Sequence, residues 1–209
     1  MRWVVIGAHL AAADVEPLAD ALPMRDLVLS ALAVAPDQPL GDRDLLLRVA
    51  TIRAQLLERA TFIAVRYGFA VWSAAEAESK CGVHVPRWRA LLEANLDHVE
   101  MTLKAAAATT QSRPDRKEFT SGAAYLKALH ATSAASAVDP RFRDAVEHSL
   151  APLTVQHRWL HRDNRSLEFA MLVRRERLDE VRAAGESLRA TRVPFMLSGP
   201  WPLEVFADE

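Results

Sequence analysis

Few side chains in this 209-residue chain combine the type and the spacing that chemistry requires. His157 and His161 stand four apart in a stretch that reads as helical, which would bring two imidazoles onto one face with the Asp163 carboxylate close by, a geometry that zinc or nickel accepts. Such a set is short of a closed ligand shell, so no metal is expected, and the two histidines read as surface residues flanking Trp159 and Leu160. Cys81 and His84 offer a thiolate and an imidazole for nucleophilic work, but Gly82 and Pro86 make the region a loop in which no third group orients the ring. A lone thiol in a turn is the expectation. No phosphate-cradling glycine loop, Gly-x-Ser-x-Gly elbow, His-Glu-x-x-His or paired-cysteine spacing occurs. The residues therefore point to recognition, with no catalytic residue and no cofactor expected.

Recognition has two candidate segments. Near the end, Val193-Pro194-Phe195-Met196-Leu197 runs into Ser198-Gly199-Pro200-Trp201-Pro202. Each proline holds its own φ at about −65° and keeps the preceding residue extended, so Gly199 and Trp201 are stiffened and the indole has one direction to point. Trp201 is then either a lid on a core or a surface offered to a partner. The second segment is Val65-Arg66-Tyr67-Gly68, where the strand period turns Arg66 away from Val65 and Tyr67. Its guanidinium either pairs with a carboxylate across a domain junction or presents a fork to a partner. The basic residues Arg158, Arg162, Arg165, Arg174, Arg175 and Arg177 read as a solvated face.

Composition narrows the partner class. Lys and Arg number 26 against 27 Asp and Glu, a formal charge of −1, so no bulk field gathers nucleic acid or an anionic membrane. One cysteine cannot form an internal disulfide, and the chain shows neither a signal-peptide pattern nor an apolar run of about 18 residues. A cytoplasmic, water-soluble protein without membrane insertion is expected.

The elements that must position these segments follow from periodicity. Strands are expected at 3–6 and 26–32 with a helix from Ala11 to Leu22 between them, then a helix after Asp42 with Leu45, Val49, Ile52 and Leu56 on its inner stripe. Residues 62–72 read as strand, turn and strand. A helix from Pro86 carries Trp88, Leu91, Leu92 and Leu96, and a strand at 99–104 turns Val99, Met101 and Leu103 inward. Residues 105–120 read as a mobile connection. Helices follow from Ser121, with Tyr125, Leu126 and Leu129, and from Asp139-Pro140, with Phe142, Val146, Leu150 and Leu153. Strand 167–173, helix 175–190 with Leu178, Val181 and Leu188 inward, and strand 193–197 close the chain. The fold class is α+β in two small domains: an N-terminal α+β domain, 1–85, and a ferredoxin-like α+β domain with a helical insertion, 86–209.

The terminal Leu197-Ser198-Gly199-Pro200-Trp201-Pro202 followed by Phe206, and Val65-Arg66-Tyr67-Gly68 after a long helix, resemble the signatures of the gas vesicle accessory proteins L and F. Val99-Glu100-Met101 before Lys104, Ser121 to Leu126, and Leu167 to Val173 before a charged helix echo that family in the same order. Two features depart from it: Leu203-Glu204 stands where a further proline and a tyrosine usually follow, and Ala64 lies near the usual proline before the Arg-aromatic-Gly segment. The resemblance implies a non-catalytic protein of the gas vesicle that contacts the small hydrophobic shell protein and other accessory proteins and helps nucleate or assemble the vesicle. Its interaction or structural motif residues would be Arg66, Tyr67, Gly68, Gly199, Pro200, Trp201 and Pro202. The alternative is a ferredoxin-like module that binds a small ligand or acts as an enzyme in a cleft between the domains. An exposed apolar patch beside the terminal motif favours docking; a closed pocket with converging Arg66, Glu100 or His157 favours the alternative.

Overall fold

The computed structural model describes residues 1–13, 19–106, 115–134, 139–163, 166–204 and 206, without the side chains of 129–134 and 161–163. The chain divides into two compact units, one of Met1–Glu100 with Pro200–Glu209, the other of Met101–Gly199. The sequence reading puts its boundary at 85/86, inside the first of these. That stretch stays with the first unit because the helix after residue 85 packs on the first strand, and the last residues return to the same unit.

The first unit is built on β1 (Arg2–Leu10), whose Val4, Val5, Ile6 and Ala8 are all buried, an apolar run suited to the middle of a sheet. β2 (Asp20–Met24) and β3 (Leu27–Val34) form a hairpin closed by Arg25 and Asp26, with Arg25 at φ 54°. β3 pairs antiparallel with β1, and the register shifts between Val5 and Gly7. β4 (Ile63–Ala64) and β5 (Ala70–Val71) both pair with β1 on its other side, giving the order β2-β3-β1-β4. The helix expected over 11–22 is corrected: a turn follows β1, and Leu22 and Met24 point inward from β2, with Pro23 tolerated on an edge strand. Residues 14–18 of that expectation lie outside the described residues.

α1 (Arg43–Arg59) follows its cap, the Asp42 carboxylate, which accepts from Leu45 N–H at 2.9 Å, and it buries Leu45, Val49, Ile52 and Leu56 as the periodicity predicts, with Leu57 beside them. α2 (Ala74–Cys81) is unanticipated by the sequence reading. Ser73 Oγ accepts from Glu76 N–H at 3.1 Å while the Glu76 carboxylate accepts from Trp72 N–H at 2.7 Å, a near relative of the capping box written in Ser73-Ala74-Ala75-Glu76. α3 (Val85–Ala94) then lays Val85 and Leu92 inward.

One buried polar pair lies in this sheet. His9 Nδ1–H donates to the Leu10 carbonyl and Nε2 accepts from Ser30 Oγ, each at 2.9 Å, which uses both nitrogens of a neutral ring. Burial holds the imidazole below its ordinary pKa of 6.5. Between that lowered value and 6.5 the unfolded chain carries more protons than the folded one, so stability falls as pH descends through this window. We expect the melting temperature to drop between pH 7.5 and 5.5, and His9→Gln to flatten that slope. Equal slopes in the two proteins would remove His9 as the cause.

The second unit contains β6 (His98–Ala106, from residue 101 on), α4 (Gly122–Ala134), α5 (Pro140–Leu150), β7 (Gln156–Asp163), β8 (Ser166–Arg174), α6 (Leu178–Leu188) and β9 (Phe195–Trp201, to residue 199). The sheet order β7-β8-β6-β9 is the split arrangement of a ferredoxin-like fold, with α5 as the helix that the fold needs between its first two strands and α4 as extra helical material there. Phe142, Val146 and Leu150 of α5 and Val181 and Leu188 of α6 form its core with Phe169, Met171 and Val173 of β8. Leu126 of α4, expected inward, is exposed. Of the connection expected at 105–120, Ala105 and Ala106 extend β6 and Arg116–Glu118 form a tight helical turn; 107–114 lie outside the described residues.

The helix expected around His157 and His161 is corrected to β7, paired antiparallel with β8 through His157↔Met171 and Trp159↔Phe169. Trp159 packs at a tilt against Phe169, ring centroids 4.8 Å apart, and donates from Nε1 to Glu147 at 2.7 Å, so the indole serves both sheet and helix. Four residues along a strand span roughly 13 Å, which removes the helical spacing on which a two-imidazole site depended.

Candidate functional site

The C-terminal tail docks as a short parallel strand. Leu203 N–H donates to the Phe62 carbonyl at 2.9 Å, its own carbonyl accepts from Ala64 N–H at 3.3 Å, and its side chain is buried. Glu100 holds the next residues: one carboxylate oxygen accepts from Glu204 N–H at 2.8 Å and from Phe206 N–H at 2.9 Å. The carboxylate is itself buried and Phe206 packs inward beside it, so a charge-assisted clamp and two apolar anchors fix the tail. The strand alternation turns Glu100 away from Val99 and Met101; backbone donors more than 100 residues later take it out of solvent.

Fixing the tail there shapes a cleft of about 490 Å³. One wall is the outer flank of α1, with Leu46, Ala50, Ala54 and Leu57; the other is Pro200, Trp201 and Pro202, and Ala64 and Tyr67 contribute from the β4 side. α1 thus carries two apolar stripes. Leu45, Val49, Ile52 and Leu56 face the sheet, while Leu46, Ala50, Ala54 and Leu57 recur at four-, four- and three-residue steps along the adjoining flank. The sequence shows this second stripe plainly, and the reading above passes over it. Trp201 is 47% exposed and Leu46 41%, so apolar surface stands open to solvent beside the terminal motif.

The second motif meets the same cleft. Val65 N–H donates to the Ile6 carbonyl at 3.3 Å, and Phe69 N–H donates to the Arg66 carbonyl at 3.2 Å, closing a turn. Gly68, in that turn, has φ +91°, where a side chain is strained, and Gly199 has φ +119° just before Pro200. The Tyr67 hydroxyl donates to the Leu40 carbonyl, which holds the ring at the cleft. Arg66 is exposed on the turn, and no carboxylate among the described residues forms an ion pair with it.

Two charged groups line the cleft, Arg53 and Glu204. Arg53 Nη2 donates to the Val65 carbonyl, and to that of Ile6 at 3.4 Å. Partial burial lowers its pKa, and the field of Glu204 works against that. The sequence reading does not single out Arg53; its signal is a cation interrupting an apolar helix flank.

The other candidates serve their own surroundings. Cys81 closes α2 and is buried, and desolvation raises its thiol pKa, which disfavours the thiolate. His84 stacks on Trp88 at 5.5 Å. His157 is exposed in the second unit, 3.1 Å from Thr154 Oγ1. Among the described residues no group of three or more His, Cys, Asp or Glu could hold a metal ion, and no helix is long and apolar enough to cross a membrane.

The model of the gas vesicle synthesis protein GvpL/GvpF family matches residues 18–207. The gas vesicle protein GvpF from Microcystis aeruginosa has a similar crystal structure, with a TM-score of 0.72 at 12% identity over 99% of this chain and 98% of that one. GvpF from Anabaena sp. PCC7120 is similar at a TM-score of 0.69 and 11% identity, over 99% and 98%. No curated protein sequence matches the chain.

Proposed function

The chain belongs to the gas vesicle synthesis protein GvpL/GvpF family and has a gas vesicle accessory role, and from that premise we propose that it is non-catalytic and docks the small hydrophobic shell protein in the cleft between α1 and its own tail. Docking there assists nucleation or assembly of the vesicle, in the cytoplasm and alongside other accessory proteins. One observation carries this reading: the two motifs, far apart in the chain, bring Tyr67 and Pro200-Trp201-Pro202 to one apolar cleft. Apolar walls with a half-exposed indole suit an apolar segment of a protein partner. Gly68 and Gly199 shape the backbone, Pro200 and Pro202 stiffen the rim, and Arg66 stands outside as a fork for the same partner.

Trp201→Ala tests it. Because the indole is half exposed, the melting temperature should shift by only a few degrees, whereas capture of purified shell protein on immobilised protein should weaken at least about tenfold, as for an interface hot spot. Capture equal to wild type would end the proposal.

A further inference from the structure

Arg53 is out of keeping with the apolar flank on which it sits. The residues one helical turn to either side, Ala50 and Leu57, and Leu46 two turns back are apolar, and all line the same cleft. Nη2 is committed to backbone carbonyls, yet Nε is buried with no hydrogen-bond partner in the structure. Glu204 lines the cleft too but makes no ion pair with Arg53; it acts through its field alone. At Nε the guanidinium has therefore given up its hydration without a compensating acceptor, and no carboxylate among the described residues is in contact with its charge, which a native fold rarely leaves unanswered.

An apolar occupant would worsen this. Seating aliphatic side chains against Leu46, Ala54 and Trp201 strips more water from Arg53, and a cation buried with carbonyl acceptors at one nitrogen but no opposite charge in contact costs more than the apolar contact returns. The occupant must bring an acceptor, and a carboxylate fits a guanidinium best, since it supplies opposite charge and two oxygens to a planar fork.

We propose that the segment of shell protein seated in this cleft carries a single carboxylate among apolar side chains, and that this carboxylate pairs with Arg53. The inference rests on the docking reading above and adds the chemistry of the occupant. The pair fixes register: apolar walls accept many segments, whereas a charge at one point selects those whose acidic residue arrives there and rejects those that bring a lysine.

The test uses fluorescently labelled synthetic peptides that tile a gas vesicle shell protein, read by anisotropy against the full-length protein. A peptide joining apolar residues to one Asp or Glu should bind, and its Asn or Gln analogue should bind roughly ten- to a hundredfold more weakly, the weight of a charge-assisted bond in a partly dry site. Arg53→Met should bind the acidic peptide and its amide analogue equally. Because Arg53 also ties two backbone carbonyls, the peptide-side change is the decisive arm: it leaves the protein untouched. Wild-type affinity for the amide analogue overturns the proposal, as does selection of a peptide without a carboxylate or failure of every peptide to bind. If Trp201→Ala abolishes binding while the amide analogue binds normally, docking in the cleft stands and the role of Arg53 falls. If Trp201→Ala also changes nothing, both fall.

Discussion

Glu100→Ala should release the C-terminal tail and with it one wall of the cleft. The carboxylate accepts two backbone N–H groups, from Glu204 and Phe206, and both lose their acceptor together. A bond to a charged acceptor contributes about 1.5–3 kcal/mol, so the loss of two should come to about 3–6 kcal/mol, and a chain of this size should melt at least about 10 °C lower. Phe206 and Leu203 are buried and follow the tail if it lifts. Glu100→Gln separates charge from geometry: it keeps an oxygen acceptor of the same reach, so it should cost about 1 kcal/mol and leave the tail in place. Limited proteolysis reads the difference directly, since cleavage after residue 199 should be fast in the alanine variant and slow in the glutamine variant. Shell-protein capture should fall with the former because Pro200, Trp201 and Pro202 are no longer held opposite α1. Equal protection of the tail in Glu100→Ala and wild type would show that the Leu203 bridge suffices alone.

That clamp also marks where sequence reasoning stops. A period-two strand with Val99, Met101 and Leu103 inward is legible, and those residues are buried. The same rule turns Glu100 the other way, and its burial depends on backbone donors that local periodicity cannot see. Helix α1 shows both cases in one element. Its buried stripe is read correctly from four- and three-residue steps, while the parallel stripe through Leu46, Ala50, Ala54 and Leu57 matters only once the tail is known to lie beside it. β7 failed for another reason. His157, Arg158, Trp159, Leu160 and His161 fit a short helix as well as a strand, and pairing with Leu167 to Val173 decides the matter. α2 was legible and missed, because Ser73 and Glu76 spell its start. The ferredoxin-like class of the second unit was legible in its closing strand, helix and strand, where local pattern and tertiary packing agree, but the strand order was not, because spacing alone does not fix it and β7 was read as a helix. The terminal motif was legible as a stiff, indole-bearing segment, but its partner wall was not.

Gly7→Ala should be the most disruptive single methyl in the first unit. A Cβ at this position meets the ring edge of Phe62 and stands 2.8 Å from the Ile63 carbonyl oxygen. Phe62 is fully buried and cannot swing aside, and the carbonyl is backbone at the start of β4. Gly7 pairs with Ala64 and Ala8 with Ile63, so relief comes only by moving β4 off β1. β4 in turn carries the Leu203 bridge, and the displacement should pass to the tail. Overpacking of this kind costs about 3 kcal/mol, which lowers the melting temperature by about 10 °C and exposes the tail to protease. Gly185→Ala is the matched control. Its Cβ would lie 2.5 Å from Leu197 Cδ2, but that atom ends a flexible, half-buried side chain, and alanine in the middle of α6 gains about 1 kcal/mol of helix propensity over glycine. The two effects nearly cancel, so Gly185→Ala should melt within about 3 °C of wild type. The same methyl is thus strongly destabilising at one site and nearly neutral at the other, set by whether the atom it meets is backbone or the end of a rotor. A Gly7→Ala protein that melts like wild type, with its tail protected, would mean that β4 does not approach β1 this closely and that the tail does not depend on it.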